Sequence, residues 1–97
     1  MKYHRSTAWD YYLVLEKLAM ASIKLSSDQS PYHEVSAEQA GLTLSERHQI
    51  RGLTVRGWAK RMLNTYRTTK HGGITYQVTE KGMEKLVMKK GWMGRSL

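Results

Sequence analysis

Arg47, Arg51, Arg56, Lys60, Arg61, Arg67 and Lys70 follow one another in a stretch that holds no Asp or Glu between Glu46 and Glu80. Cationic side chains at this density neutralise a polyanion, and Arg adds paired hydrogen bonds to phosphate or carboxylate oxygens. A surface that serves solubility alone mixes both signs, so the missing acids argue for an anionic partner. Acids gather instead in residues 25–46, where Asp28, Glu34, Glu38 and Glu46 occur without a single Lys or Arg. Over the whole chain 16 basic residues face 8 acids, a net charge of +8.

Other chemistries find no support. The chain has no cysteine, which removes disulfides, thiolate metal sites and thiol nucleophiles and fits a reducing, cytoplasmic setting. His4, His33, His48 and His71 are scattered without a metal-ligand spacing, so no metal and no cofactor is expected. No Gly-rich phosphate loop, nucleophile elbow or carboxylate pair is present, and no enzyme is expected. The first ten residues lack the apolar segment of a signal peptide, and no run nears the roughly 18 apolar residues of a membrane span.

The elements that must position the basic residues emerge from periodicity and turn chemistry. At 97 residues the length fits one domain, with a core over about residues 7–90 and a tail at 91–97. Ser6 or Thr7 can cap a helix to about Lys24, with Ala8, Tyr11, Tyr12, Leu15, Leu18, Ala19 and Ser22 on one stripe. Leu13, Val14 and Met20 lie off it, so residues 7–24 are either deeply packed or contact a second copy in a homodimer. Residues 26–31 read as a loop and residues 32–35 as a short strand. Ser36 with Gln39, and Thr43 with Glu46, have the capping-box spacing. They open a brief helix ending near Gly41 and another over residues 44–51.

Gly52 reads as a break, and Thr54 can cap a helix over residues 55–64. That helix carries Val55, Trp58, Ala59 and Met62 on an apolar face and Arg56, Lys60, Arg61 and Asn64 on a basic one. A single helix over residues 44–65, running through both glycines at about 1 kcal/mol each, is the other arrangement open to this stretch. Residues 63–69 and 74–78 read as strands around a turn at residues 70–73, with Tyr66 and Thr68 opposite Val78 and Tyr76. Thr79 caps a last helix from Glu80 to about Lys90, which turns Met83, Leu86 and Val87 inward and ends at Gly91. Trp58, Tyr66 and Tyr76 are expected in the core.

The result is an α+β chain, mainly α, in the order helix, short strand, helix, helix, strand, turn, strand, helix. With Gly52-Leu53-Thr54-Val55-Arg56-Gly57-Trp58-Ala59-Lys60-Arg61-Met62-Leu63 and Tyr76-Gln77-Val78-Thr79-Glu80-Lys81-Gly82 it resembles the winged helix-turn-helix DNA-binding family, of the small kind found in phage and plasmid regulators. The resemblance implies a recognition helix at 55–64, a basic wing at 67–73, and a transcriptional regulator or accessory factor that binds double-stranded DNA. Arg56 and Lys60 then reach base edges with Arg61 and Asn64 beside them. Arg67, Lys70 and His71 lie along the DNA backbone, and Arg47 and Arg51 hold flanking phosphates. Two other functions fit the same charge: a protein-interaction module for an acidic partner, and RNA or nonspecific nucleic-acid binding.

Overall fold

The computed structural model describes the backbone of residues 8–63 and 74–91, and the side chains of residues 11–62, 74–89 and 91. The helix caps expected at Ser6 or Thr7, the strand residues Tyr66 and Thr68, and the tail at 92–97 lie outside the described residues. Among the described residues the fold is α+β and mainly helical, with one two-stranded antiparallel sheet.

Helix α1 (Ala8–Leu25) runs through the core. Its expected stripe is inward: Leu15, Leu18, Ala19 and Ser22 are buried and Tyr11 and Tyr12 pack against the core. Val14 and Ala21 are buried as well, so deep packing accounts for much of the apolar width of this helix, while Met20 is exposed. The Ser22 hydroxyl donates to the Ser30 carbonyl and accepts from the His33 N–H at 2.9 Å, folding the 26–33 loop back onto the helix.

The expected strand at 32–35 is reduced to a single bridge, with Val35 exchanging backbone hydrogen bonds with Tyr76 at 2.7 and 2.9 Å. Both capping boxes form. Ser36 and Gln39 bond reciprocally at 2.9 and 3.0 Å, and so do Thr43 and Glu46 at 2.9 and 3.1 Å. The first opens only one helical turn, because Gly41 at φ +69° stops it with the Leu42 N–H on the Ala37 carbonyl and its own N–H on Glu38. That pairing is the Schellman stop, which favours glycine at the left-handed position.

The second box opens α2 (Leu44–Arg47), and α3 (Ile50–Val55) comes almost at once. Between them, the His48 and Gln49 N–H groups bond the Ser45 and Glu46 carbonyls, three residues back. This tightened turn keeps α2 and α3 as one rod. Gln49, Ile50 and Leu53 are buried along one side, and Leu44, Arg47, His48, Arg51 and Val55 are exposed along the other.

Gly52 does not break the chain but sits inside α3, where a Cβ would collide with the Tyr11 ring of α1. The helix expected at 55–64 is absent. Gly57 at φ +78° ends α3, with the Trp58 N–H on the Leu53 carbonyl at 2.9 Å and the Gly57 N–H on Thr54 at 3.1 Å. This is a second Schellman stop, joined by two buried apolar residues, Leu53 and Trp58.

Beyond this stop the chain enters strand β1 (Ala59–Leu63), paired antiparallel with β2 (Ile74–Val78) in the register Ala59↔Val78, Arg61↔Tyr76. The strand thus starts four residues before the expected 63, and Val78 and Tyr76 face Ala59 and Arg61 in place of Tyr66 and Thr68. Trp58 is buried and stacks near Tyr12 with centroids 5.2 Å apart, and Tyr76 packs half-buried against the core, as expected. Val55, expected inward, is exposed, and so is His48.

Helix α4 (Glu80–Lys90) begins and ends where its caps predict. The Thr79 hydroxyl accepts the Gly82 N–H, and Gly91 closes the helix at φ +73° on the Val87 carbonyl. Met83 and Leu86 are buried. Among the described residues no helix is long and apolar enough to cross a membrane.

One ion pair ties the rod to α1: Lys17 Nζ lies 2.8 and 2.9 Å from the two carboxylate oxygens of Glu46. The Lys17 hydrogen bond, seconded by the Thr43 N–H, holds the Glu46 carboxyl below its usual range. A depressed carboxyl stabilises the fold above the unfolded-state pKa, and that contribution is lost as pH falls through the lower, folded-state value. Glu46→Gln keeps an acceptor for the Thr43 N–H and loses the ion pair. It is expected to cost less than about 1 kcal/mol at neutral pH, since the pair is part-exposed. In urea titrations from pH 7 to pH 3 the gap between this variant and the parent should close towards acid.

Candidate nucleic-acid interface

The exposed side of the α2–α3 rod carries Arg47, His48 and Arg51 between two apolar ends, Leu44 and Val55. Its inward side is fixed by Ile50 and Leu53 in the core, so the outward direction of the cations is set by burial on the opposite face. Beside the rod runs the hairpin. Ala59 and Val78 anchor one face of the sheet in the core, and two residues further along the same face stand Arg61 and Tyr76.

Rod and hairpin enclose an open groove of about 480 Å³ lined by Arg47, Ile50, Arg51, Thr54, Val55, Arg61 and Tyr76. Three arginines thus share one concavity, with no carboxylate among its described lining residues. The nearest acid in sequence, Glu46, is turned away onto Lys17. Glu34 accepts from the Thr75 hydroxyl at 2.8 Å, and Thr75 lies on the sheet face opposite Arg61 and Tyr76. Concave, single-sign surfaces concentrate field and draw in polyanions.

The expected site residues separate into three groups. Arg47, Arg51 and Arg61 come together in the groove, although the sequence pattern gives Arg61 to a helix and the other two to flanking positions. Arg56 and Lys60, expected on a shared helical face, do not share one. The Arg56 guanidinium lies 4.3 Å over the Tyr11 ring, and its Nη1 donates to the Gly52 carbonyl at 3.1 Å. It closes the C-terminal end of α3, where cations satisfy the last carbonyls. Lys60 is exposed on the other side of β1, across from Gln77. Asn64, Arg67, Lys70 and His71 lie outside the described residues.

Sequence reasoning did not single out His48, Thr54, Val55 or Tyr76 as site residues. The available signal was Val55-Arg56-Gly57-Trp58: a glycine one residue past a helical run, with a large apolar residue after it, is the signature of a helix stop. Among the described residues, no three His, Cys, Asp or Glu side chains converge to hold a metal ion. No protein-family model matches the chain, and neither a curated protein nor a solved structure matches it.

Proposed function

We propose that this protein binds duplex DNA, with the outer side of α2–α3 in the major groove and the β1–β2 hairpin against the neighbouring backbone, as a small transcriptional regulator or accessory factor. The observation that carries this reading is the acid-free groove in which Arg47 and Arg51 of the rod meet Arg61 of the strand. A rod of this kind, stabilised from behind by the core and cationic in front, has the form that fits a major groove, where Arg pairs with guanine or with phosphate.

The element order supports a winged helix-turn-helix arrangement. The single turn at 37–40 stands as the first helix of the motif and the α2–α3 rod as the second, one element earlier than residues 55–64. Val35 bridging β2 on the side away from β1 supplies the third, shortest member of the sheet that such an arrangement uses.

The test is equilibrium binding to a randomised duplex library at two salt concentrations. Enrichment of a defined sequence, with affinity falling as salt rises by about 0.9 log units per log unit of salt for each phosphate contacted, is the expected result. Salt-sensitive binding without enrichment would point to nonspecific or RNA binding. No binding at low salt would sink the proposal and turn attention to an acidic protein partner for the same groove.

A further inference from the structure

Phosphate binding gives a role to Arg47, Arg51 and Arg61 but none to the apolar ends of the same stripe. Leu44 is 73% and Val55 74% exposed, on the same side of the rod as Arg47, His48 and Arg51. Phosphate oxygens offer such side chains nothing. The edges of a DNA major groove carry one apolar group, the 5-methyl of thymine. Eleven residue steps along the rod separate Leu44 from Val55, about 16 Å at 1.5 Å per residue, or roughly five base-pair steps at 3.4 Å each. The cations lie between the two ends, so a rod set along the groove meets methyl groups at its ends and hydrogen-bonding edges in its middle.

We infer that Leu44 and Val55 read thymine methyl groups, so that the preferred duplex carries thymines at both ends of the segment faced by Arg47, His48 and Arg51. This rests on the nucleic-acid reading above and deepens it. It also sets DNA apart from RNA at this site: an RNA duplex lacks the methyl group, and its deep, narrow major groove does not admit side chains. The complementarity has two parts, cation to phosphate or guanine in the centre and aliphatic carbon to methyl at the ends.

The experiment takes the duplex enriched from the randomised library and compares it with the same duplex carrying uracil for every thymine, which deletes the methyl groups and keeps every hydrogen-bonding edge. Kd is measured for the parent protein and for Leu44→Gln and Val55→Gln, two changes at exposed positions whose folding is checked by circular dichroism. The parent is expected to lose about fourfold in affinity per methyl group removed, the worth of burying one such group. Each variant should bind the thymine duplex less tightly and lose part of the thymine-to-uracil ratio. Equal parent affinity for both duplexes would overturn the inference while leaving the DNA-binding proposal intact. An undiminished ratio in both variants would overturn the assignment to these two residues. Failure of the parent to bind any duplex at low salt would overturn the proposal and the inference together.

Discussion

Replacing both Arg47 and Arg51 by alanine is expected to weaken duplex DNA binding by at least about 30-fold, the product of two contacts worth about 1 kcal/mol or more apiece. The slope of log affinity against log salt should flatten by about one for each of the two that holds a phosphate. Both side chains are exposed on the rod, so their removal opens no cavity and melting should be unchanged. Arg56→Ala is the control, because it removes one arginine charge from the same stretch of sequence. Its guanidinium is engaged over Tyr11 and on the Gly52 carbonyl. The variant is therefore expected to bind DNA within about twofold of the parent and to lose about 0.5–1 kcal/mol of stability with the cation–π contact. Fluorescence anisotropy at two salt concentrations, beside thermal melts, separates the outcomes. If Arg56→Ala abolished binding and the double variant did not, the interface would lie on another face of the protein.

Gly82→Ala is expected to destabilise the fold by about 3 kcal/mol, at the upper end of ordinary overpacking costs. In a solvent-exposed helix the same change would stabilise by about 1 kcal/mol through propensity. Here a Cβ on Gly82 would stand 2.1 Å from the backbone carbonyl oxygen of Trp58. The obstacle is backbone, so no side chain can swing aside. That carbonyl also accepts the Thr79 N–H at 3.0 Å, and the Thr79 hydroxyl donates to the Gly57 carbonyl at 2.7 Å. Moving one strains the helix stop before β1 and the cap of α4 together. For a chain of this length a loss of about 3 kcal/mol lowers the melting temperature by more than about 10 °C. Glu84→Ala, at an exposed position of the same helix, should change stability by less than about 0.5 kcal/mol. Equal melting of the Gly82 variant and the parent would show that the α4–Trp58 contact yields without cost.

These two expectations also mark where the sequence is legible. Interactions spanning three or four residues are complete in the local sequence, because both partners are held by the same turn. The Ser36–Gln39 and Thr43–Glu46 boxes, the Thr79 cap and the Gly91 stop all form as their spacing requires. So does the inward stripe of α1, since a helix of 18 residues has enough periods to define its buried side. The concentration of positive charge is legible for the same reason: it needs no geometry beyond proximity in the chain.

The glycines and the strands were decided elsewhere. Gly52 and Gly57 stand five residues apart in similar company, and either can break a helix. Only the Tyr11 ring above Gly52, supplied by α1, makes that residue a packing point. Only the burial of Leu53 and Trp58 in the same core makes Gly57 the stop. Once the helix ends there, residues 59–63 become a strand whose period of two carries Arg61 away from Lys60 and onto the groove with Arg47 and Arg51. A 3.6-residue pattern and a 2-residue pattern cannot be told apart over a stretch this short. Charge and caps were therefore determined by the amino-acid sequence itself, while which cations share a surface was settled by long-range packing, through contacts with residues such as Tyr11 more than 40 positions away.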